Sequence, residues 1–312
     1  MTSFAFVFPG QGSQAVGMLE AWGDSAPVRD TLAEASEALG TDIGALIREG
    51  PKEHLDLTTN TQPVMLTAGV ACYRAWMAAT GLTPSVVAGH SLGEYSALVA
   101  AGALRLRDAL PLVRFRAEAM QQAVPVGVGA MAAILGLDPE AVRAGCMEVA
   151  AASGEVVEAV NFNDPKQTVI AGTKAGVDAA CAALKSKGAK RALPLPVSAP
   201  FHSSLMKPAA DRLRERLAAT PFETPRIDVV NNVDVAVESA PDAIRDALYR
   251  QAFGPVRWVE TVRAIRARGT THIFECGPGK VLAGMVKRIE ADAISTTVLD
   301  PASMAEARAL LG

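Results

Sequence analysis

The first apolar run, Phe4–Phe8, is short, aromatic and β-branched, and it stops at Pro9-Gly10. That pattern predicts a buried strand entering a tight loop. Helical patterning over Thr61–Thr80 ends at Gly81-Leu82-Thr83-Pro84, and a second apolar run, Ser85–Ala88, follows. A helix therefore feeds a strand. After that strand come Gly89-His90-Ser91-Leu92-Gly93 and a helix-forming stretch to about Ala101, so a sharp turn joins strand to helix.

From Gly129 to Pro196 the order changes to strand 129–135, helix 138–151, strand 156–162, strand 167–172, helix 174–186 and strand 189–195. This β-α-β-β-α-β order is the split-βαβ, ferredoxin-like motif, long enough to hold its own two-layer core. Helices near 203–218, 241–250 and 258–268 then alternate with strands near 227–231 and 271–274, a return to the first sheet. The expected class is α/β. A discontinuous large domain spans 1–127 and 197–312, and a ferredoxin-like domain inserted at 128–196 interrupts it.

Composition changes this picture little. Half of the 312 residues are hydrophobic, a fifth are charged, and the formal charge is −3, which fits a globular enzyme and gives no reason to expect nucleic acid or an anionic membrane as partner. Cys72, Cys146, Cys181 and Cys276 are scattered without metal-ligand spacing and read as free thiols. The first residues have no basic stretch of signal-peptide type, and no apolar run could span a bilayer, so a cytoplasmic protein is expected. There is no internal repeat or heptad pattern.

Gly89-His90-Ser91-Leu92-Gly93 fits G-x-S-x-G, in which glycines relieve crowding around a serine exposed on a strained turn. Ser91 is the candidate nucleophile. Its place at a helix N-terminus leaves the Leu92 N–H free to stabilise an oxyanion. The loop Pro9-Gly10-Gln11-Gly12-Ser13-Gln14 could present a second N–H, whereas its G-x-G lacks the third glycine of a dinucleotide site. Gly277-Pro278-Gly279-Lys280 lacks P-loop spacing and reads as a turn.

A serine needs a base, and the chain has His54, His90, His202 and His272. His90 adjoins the nucleophile and would point away from it; His54 falls in a polar loop and His272 in a strand-like run. His202, in Ser198-Ala199-Pro200-Phe201-His202-Ser203-Ser204, sits where the inserted domain rejoins the large one, a favoured place for a cleft. No acidic third partner stands out among Asp108, Asp138, Asp164 and Asp178. Arg114 and Arg116 lie on a mostly apolar helix, Asp108–Ala123, and either could meet a carboxylate or simply lie on the surface.

Phe8-Pro9-Gly10-Gln11-Gly12-Ser13-Gln14, Gly89-His90-Ser91-Leu92-Gly93-Glu94-Tyr95, Phe201-His202 and Glu275-Cys276-Gly277-Pro278-Gly279-Lys280 together resemble the malonyl-CoA:acyl carrier protein transacylases of bacterial fatty acid synthesis, over essentially the whole chain. The resemblance implies an α/β-hydrolase-like large domain with a ferredoxin-like insertion. It implies Ser91 as nucleophile, His202 as general base, and the Gln11 and Leu92 N–H groups as the oxyanion hole. Arg116 holds the malonyl carboxylate, and the main-chain carbonyl of Gln251, rather than an acid, orients the histidine. Leu92 and Phe201 match the malonyl-selective pattern, and one of Asn161 and Asn163 lies near the cleft, with Asn163 assigned to substrate binding.

The implied reaction needs no metal or redox cofactor, takes malonyl-CoA and acyl carrier protein as partners, and is expected of a monomer. Because acyl carrier proteins are acidic, Lys185–Arg191 and Lys287-Arg288 are candidate docking clusters. A loading transferase of a polyketide or malonate-decarboxylase system would share every motif. The Gln11 loop and Arg116 argue against an esterase, and the intact Ser91, His202 and Arg116 set argues against a silent binding module.

Overall fold

The computed structural model describes residues 2–125, 127–197 and 199–312. Ser198 of the His202 segment lies outside them, as do Met1 and Val126. Among the described residues, β1 (Phe4–Phe8), β2 (Val86–Gly89), β7 (Asp228–Val230), β8 (His272–Cys276) and β9 (Thr297–Val298) form a parallel sheet in the order β7-β2-β1-β8-β9. The architecture is mixed α/β.

Strand β1 is central and fully buried, and its alternation divides the molecule. Phe4, Phe6 and Phe8 face one layer and Ala5 and Val7 the other, because successive side chains point to opposite faces of a strand. The Phe6 ring lies 5.2 Å from Trp76 and 5.3 Å from Phe4, edge-on in both pairs, the arrangement that ring quadrupoles favour. Trp76 belongs to the helix Thr58–Thr80, which crosses the core and buries residues all round its circumference. On the small-residue side, Ala5, Val7, Val86, Ala88 and Ile273 pack with Val262, Ile265 and Val286 of the helices Trp258–Ala267 and Val281–Ile289.

A second, antiparallel sheet is built from β3 (Gly129–Leu135), β4 (Val157–Asp164), β5 (Gln167–Thr173) and β6 (Arg191–Pro194), in the order β4-β5-β3-β6. One face carries Ala132, Ile134, Val157 and Ile170 into a core with Val142, Cys146, Val177 and Leu184 of the helices Pro139–Ser153 and Lys174–Ser186. The alternate positions Met131, Ala133, Val169 and Ala171 join the main core instead. Two-residue periodicity thus lets one sheet close its own core and still seal a cleft against the parallel sheet. Main-chain bonds from Phe162 N–H to Val256 O (2.9 Å) and Val256 N–H to Val160 O (2.8 Å) tie the sheets, with an Arg288–Asp164 ion pair at 2.7 Å beside them.

Several boundaries move. The helix expected from Thr61 starts at Thr58, because Pro63 lies inside it, although proline usually marks a first turn. The strand expected over 189–195 is only Arg191–Pro194, and the helix expected from 203 begins as a 3₁₀ turn, Ser204–Met206, before Lys207–Ala219. His54, expected in a loop, lies in the short helix Lys52–Leu55. The helices Ala26–Leu39, Ile43–Glu49, Val281–Ile289 and Pro301–Ala309 had no counterpart in the sequence-based expectation. No helix among the described residues is long and apolar enough to cross a membrane.

Replacing Phe6 by Ala removes the ring at the centre of the aromatic layer, where the surrounding rings cannot collapse to fill the space. Urea unfolding is expected to show a loss of about 3–5 kcal/mol. A loss below about 1 kcal/mol would mean that the layer repacks.

Candidate active site

Parallel strands deliver their following loops to one edge of the sheet, and crevices form there. Gln11 follows β1, Ser91 follows β2 and Asn232 follows β7, and these three strands are neighbours. The turn after β2 is held by His90 N–H to Phe8 O and Gly93 N–H to His90 O, at 3.0 and 2.9 Å. A Cβ on Gly93 would stand 2.0 Å from Phe8 O, and one on Gly89 would stand 1.9 Å from the Gly93 carbonyl. The paired glycines of the motif are therefore a packing requirement. They let the chain reverse against β1, leaving Ser91 at φ 52°, a left-handed conformation that a non-glycine residue adopts only when its surroundings hold it.

Those surroundings are Asn232 and Gln251. Ser91 N–H donates to Asn232 Oδ1 (2.7 Å), Asn232 Nδ2 donates to Gly89 O (2.7 Å), and Gln251 Nε2 donates to Ser91 O (3.0 Å). Both sides of the turn are thus tethered by side-chain amides.

Ser91 Oγ lies 2.7 Å from His202 Nε2, and His202 Nδ1 lies 2.9 Å from Gln251 O. A carbonyl only accepts, so Nδ1 carries the proton and Nε2 is left as the acceptor facing Ser91. His202 also sits at positive φ, 66°, where the chain returns from the second sheet, and Ser203 Oγ donates to Pro200 O (2.7 Å) to hold the bend. Burial, and then the neighbouring Arg116 charge, push the imidazole down to about 3, which keeps it neutral.

Arg116 is 2% exposed and lies on the helix Leu106–Gln122. Its Nη1 donates to Gln62 Oε1 (2.8 Å), and its Nη2 donates to Gln251 Oε1 (3.1 Å) and Ser91 Oγ (3.3 Å). Nε has no partner, and the guanidinium stands 5.6 Å from the Tyr95 ring centroid. A buried cation is thus held by neutral groups beside Ser91, with donor capacity unspent. Arg114, the alternative on the same helix, reaches instead to Leu39 O at 3.2 Å.

A cavity of about 130 Å³ joins these groups, bounded by Gln11, Ser91, Leu92, Arg116, Phe201 and His202, with Gln62, His90, Met131 and Asn161 completing much of the wall. Among the described residues the Gln11 and Leu92 N–H groups have no hydrogen-bond acceptor. Asn163, expected at the substrate, does not line the cavity: its Oδ1 lies 2.8 Å from His90 Nε2. Asn161 lines it instead, with its Oδ1 buried and without a partner among the described residues; the pairing of β4 is irregular on both sides of it, between Ala159 and Asn161 and between Phe162 and Asp164.

Sequence reasoning gave no role to Asn232, Gln62 or Glu94. The single acid in the apolar helix Gly93–Ala100 was a usable signal for Glu94, since a charge in an apolar run calls for a buried partner. Gln62 and Asn232 have no comparable mark. Of the basic clusters, Lys187 pairs with Glu148 and Arg288 with Asp164, while Lys185, Lys190 and Arg191 are exposed.

Residues 5–303 match the acyl transferase domain family. The chain is 55% identical over 308 residues to the malonyl CoA-acyl carrier protein transacylase of Escherichia coli K12, covering 98% of this chain and 99% of that one. It is similar to the crystal structure of an acyl-carrier-protein S-malonyltransferase from Burkholderia pseudomallei 1710b, with 69% identity, a TM-score of 0.96, and coverage of 98% and 99% of the two chains. It is also similar to a malonyl-transacylase solved in complex with its type II PKS acyl-carrier protein, at 51% identity and a TM-score of 0.96, with 98% and 99% of the chains covered. The chain belongs to the malonyl-CoA:acyl carrier protein transacylase family of acyl transferases.

Proposed function

We propose that the enzyme transfers a malonyl group from malonyl-CoA to the phosphopantetheine thiol of acyl carrier protein, through an ester on Ser91. The observation that carries this reading is the buried Arg116 guanidinium beside the Ser91–His202 pair, a positive charge with no acid bonded to it. A substrate with a carboxylate one carbon from its thioester carbonyl suits that spacing.

Ser91 Oγ attacks the thioester carbon while His202 Nε2 takes the hydroxyl proton. The Gln11 and Leu92 N–H groups receive the developing oxyanion. Collapse breaks the C–S bond, and the imidazolium returns its proton to the departing coenzyme A sulfur. The carrier's thiol then enters, gives its proton to His202, attacks the ester carbon, and Ser91 Oγ leaves and is reprotonated. The Gln251 carbonyl accepts the Nδ1 proton throughout, so an acid is not needed to orient the ring. A malonyl carboxylate on Arg116 also offsets one of the three causes that depress the imidazole, which raises its basicity when the right substrate is bound.

Phe201 and Leu92, both buried at the cavity, are read as walls that crowd a methyl branch on the α-carbon. Asn161, rather than Asn163, is the asparagine we assign to substrate. The domains are read as an α/β-hydrolase-like unit, 1–127 and 197–312, with a ferredoxin-like insertion at 128–196. The separate core under the antiparallel sheet supports that division. Fatty acid synthesis is the pathway we assign. Likeness to the malonyl-transacylase with a type II PKS carrier supports a second reading, in which the carrier belongs to a polyketide system.

Three measurements test the reading. Intact-mass analysis after incubation with malonyl-CoA alone is expected to show a malonyl adduct on the wild type and none on Ser91→Ala; an unmodified wild type would exclude the covalent route. Arg116→Ala is expected to lose about 10-fold to 100-fold in kcat/KM for malonyl-CoA, the worth of one charge-assisted bond, while acetyl-CoA changes much less. Equal losses on both donors would remove Arg116 from the carboxylate role. With the imidazole held near 3, log kcat/KM for malonyl-CoA should stay level from about pH 8 to about pH 5, because the base is protonated only below its own pKa. A slope setting in near the ordinary histidine value of about 6.5 would show that the ring is not desolvated.

A further inference from the structure

Glu94 is 2% exposed, and it enters none of the chemical steps above. Its Oε2 accepts two bonds, from Asn232 N–H at 2.8 Å and from Gln251 Nε2 at 3.0 Å. Both donors belong to residues that touch the machinery. Gln251 presents Oε1 to Arg116 and its carbonyl to His202, and Asn232 holds the Ser91 turn on both sides.

An amide side chain has two orientations. Were that of Gln251 reversed, its NH₂ would face the Arg116 guanidinium, donor against donor, and its oxygen would face Glu94 and Ser91 O, acceptor against acceptor. The carboxylate behind Gln251, together with Ser91 O, therefore holds the amide oxygen toward Arg116. We propose that Glu94 is a positioning residue for substrate selection: through the Gln251 side chain it keeps Arg116 aimed at the substrate carboxylate. The link is a chain of two contacts, Glu94 to Gln251 and Gln251 to Arg116. It operates whether or not the acid is ionised, because Oε2 accepts in either state. Burial pushes the carboxyl up to about 7, consistent with a group whose charge is not what the site uses.

The inference rests on the carboxylate role of Arg116, so Arg116→Ala is measured beside it. The readout is the ratio of kcat/KM for malonyl-CoA to that for acetyl-CoA. Glu94→Ala, which removes the acceptor, is expected to lower the ratio about tenfold, the worth of one charge-assisted bond. Glu94→Gln retains an acceptor oxygen and is expected to stay within about threefold of wild type. In a Gln251→Ala background, which keeps the main-chain carbonyl, Glu94→Ala should not change the ratio further, because the link is already cut. If Glu94→Ala does not fold, Gln251→Met, with Glu94 intact, tests the same link and is expected to lower the ratio to a similar extent. Equal loss on both donors in Glu94→Ala, or an undiminished effect in the Gln251→Ala background, would overturn the proposal. An unchanged ratio in Arg116→Ala would instead overturn the carboxylate reading on which it stands.

Discussion

The site depends on one close approach of backbone to backbone. Gly93 sits so near Phe8 O that no side chain fits between them, and this contact lets the chain leave β2, turn and start a helix against the end of β1. Moving the turn outward by the width of a methyl group would carry Ser91 away from His202 and open the gap between the Gln11 and Leu92 N–H groups. The left-handed conformation of Ser91 is the local cost, of about 1–3 kcal/mol, and the amides of Asn232 and Gln251 hold it in place.

Around that turn the structure replaces charges by amides. A carbonyl stands where many serine enzymes have an acid, and Gln62 and Gln251 stand where a structural arginine would have carboxylates. Neutral partners satisfy hydrogen bonds without cancelling charge, so Arg116 keeps its attraction for an incoming anion at a buried position where that attraction is strong. A permanent acid beside it would compete with the substrate. The nearest such group, Glu94, is set back behind the Gln251 side chain.

The second sheet contributes walls more than chemistry. Met131 and Asn161 reach the cavity from β3 and β4, while the opposite face of the same sheet closes on its own two helices. Shared packing at Ala133, Val169 and Ala171, together with the Val256 pairing and the Arg288–Asp164 ion pair, holds those walls in register with Ser91. Because the cavity lies between the two sheets, a shift between them would alter its width, and the pairing of β4 with Val256 resists such a shift.

Much of the strand and helix order, the serine turn and the β-α-β-β-α-β order between residues 129 and 194 were legible because each is encoded locally. An all-buried strand such as β1 is a run of apolar residues, and a turn that admits no Cβ has glycines at fixed offsets. Helix starts were less legible where Pro63 stood inside the element, and spacing could not separate Asn161 from Asn163, which lie two residues apart in β4; the structure puts Asn161 at the cavity and Asn163 on His90. His202 was reached by setting aside the other histidines and by its place where the expected domains rejoin, with family resemblance adding to it, whereas Arg116 over Arg114 drew on family resemblance alone. By itself, then, the sequence determined most of the strands, part of the helices and the glycine-flanked turn that carries Ser91. The Gln251 carbonyl at the imidazole came from the resemblance, and the tertiary structure alone decided which amides face the guanidinium, which hold the Ser91 turn, and where Glu94 stands. Those contacts join residues up to 160 positions apart, and a hydrogen bond across the fold leaves no periodicity in the chain for a reader to find.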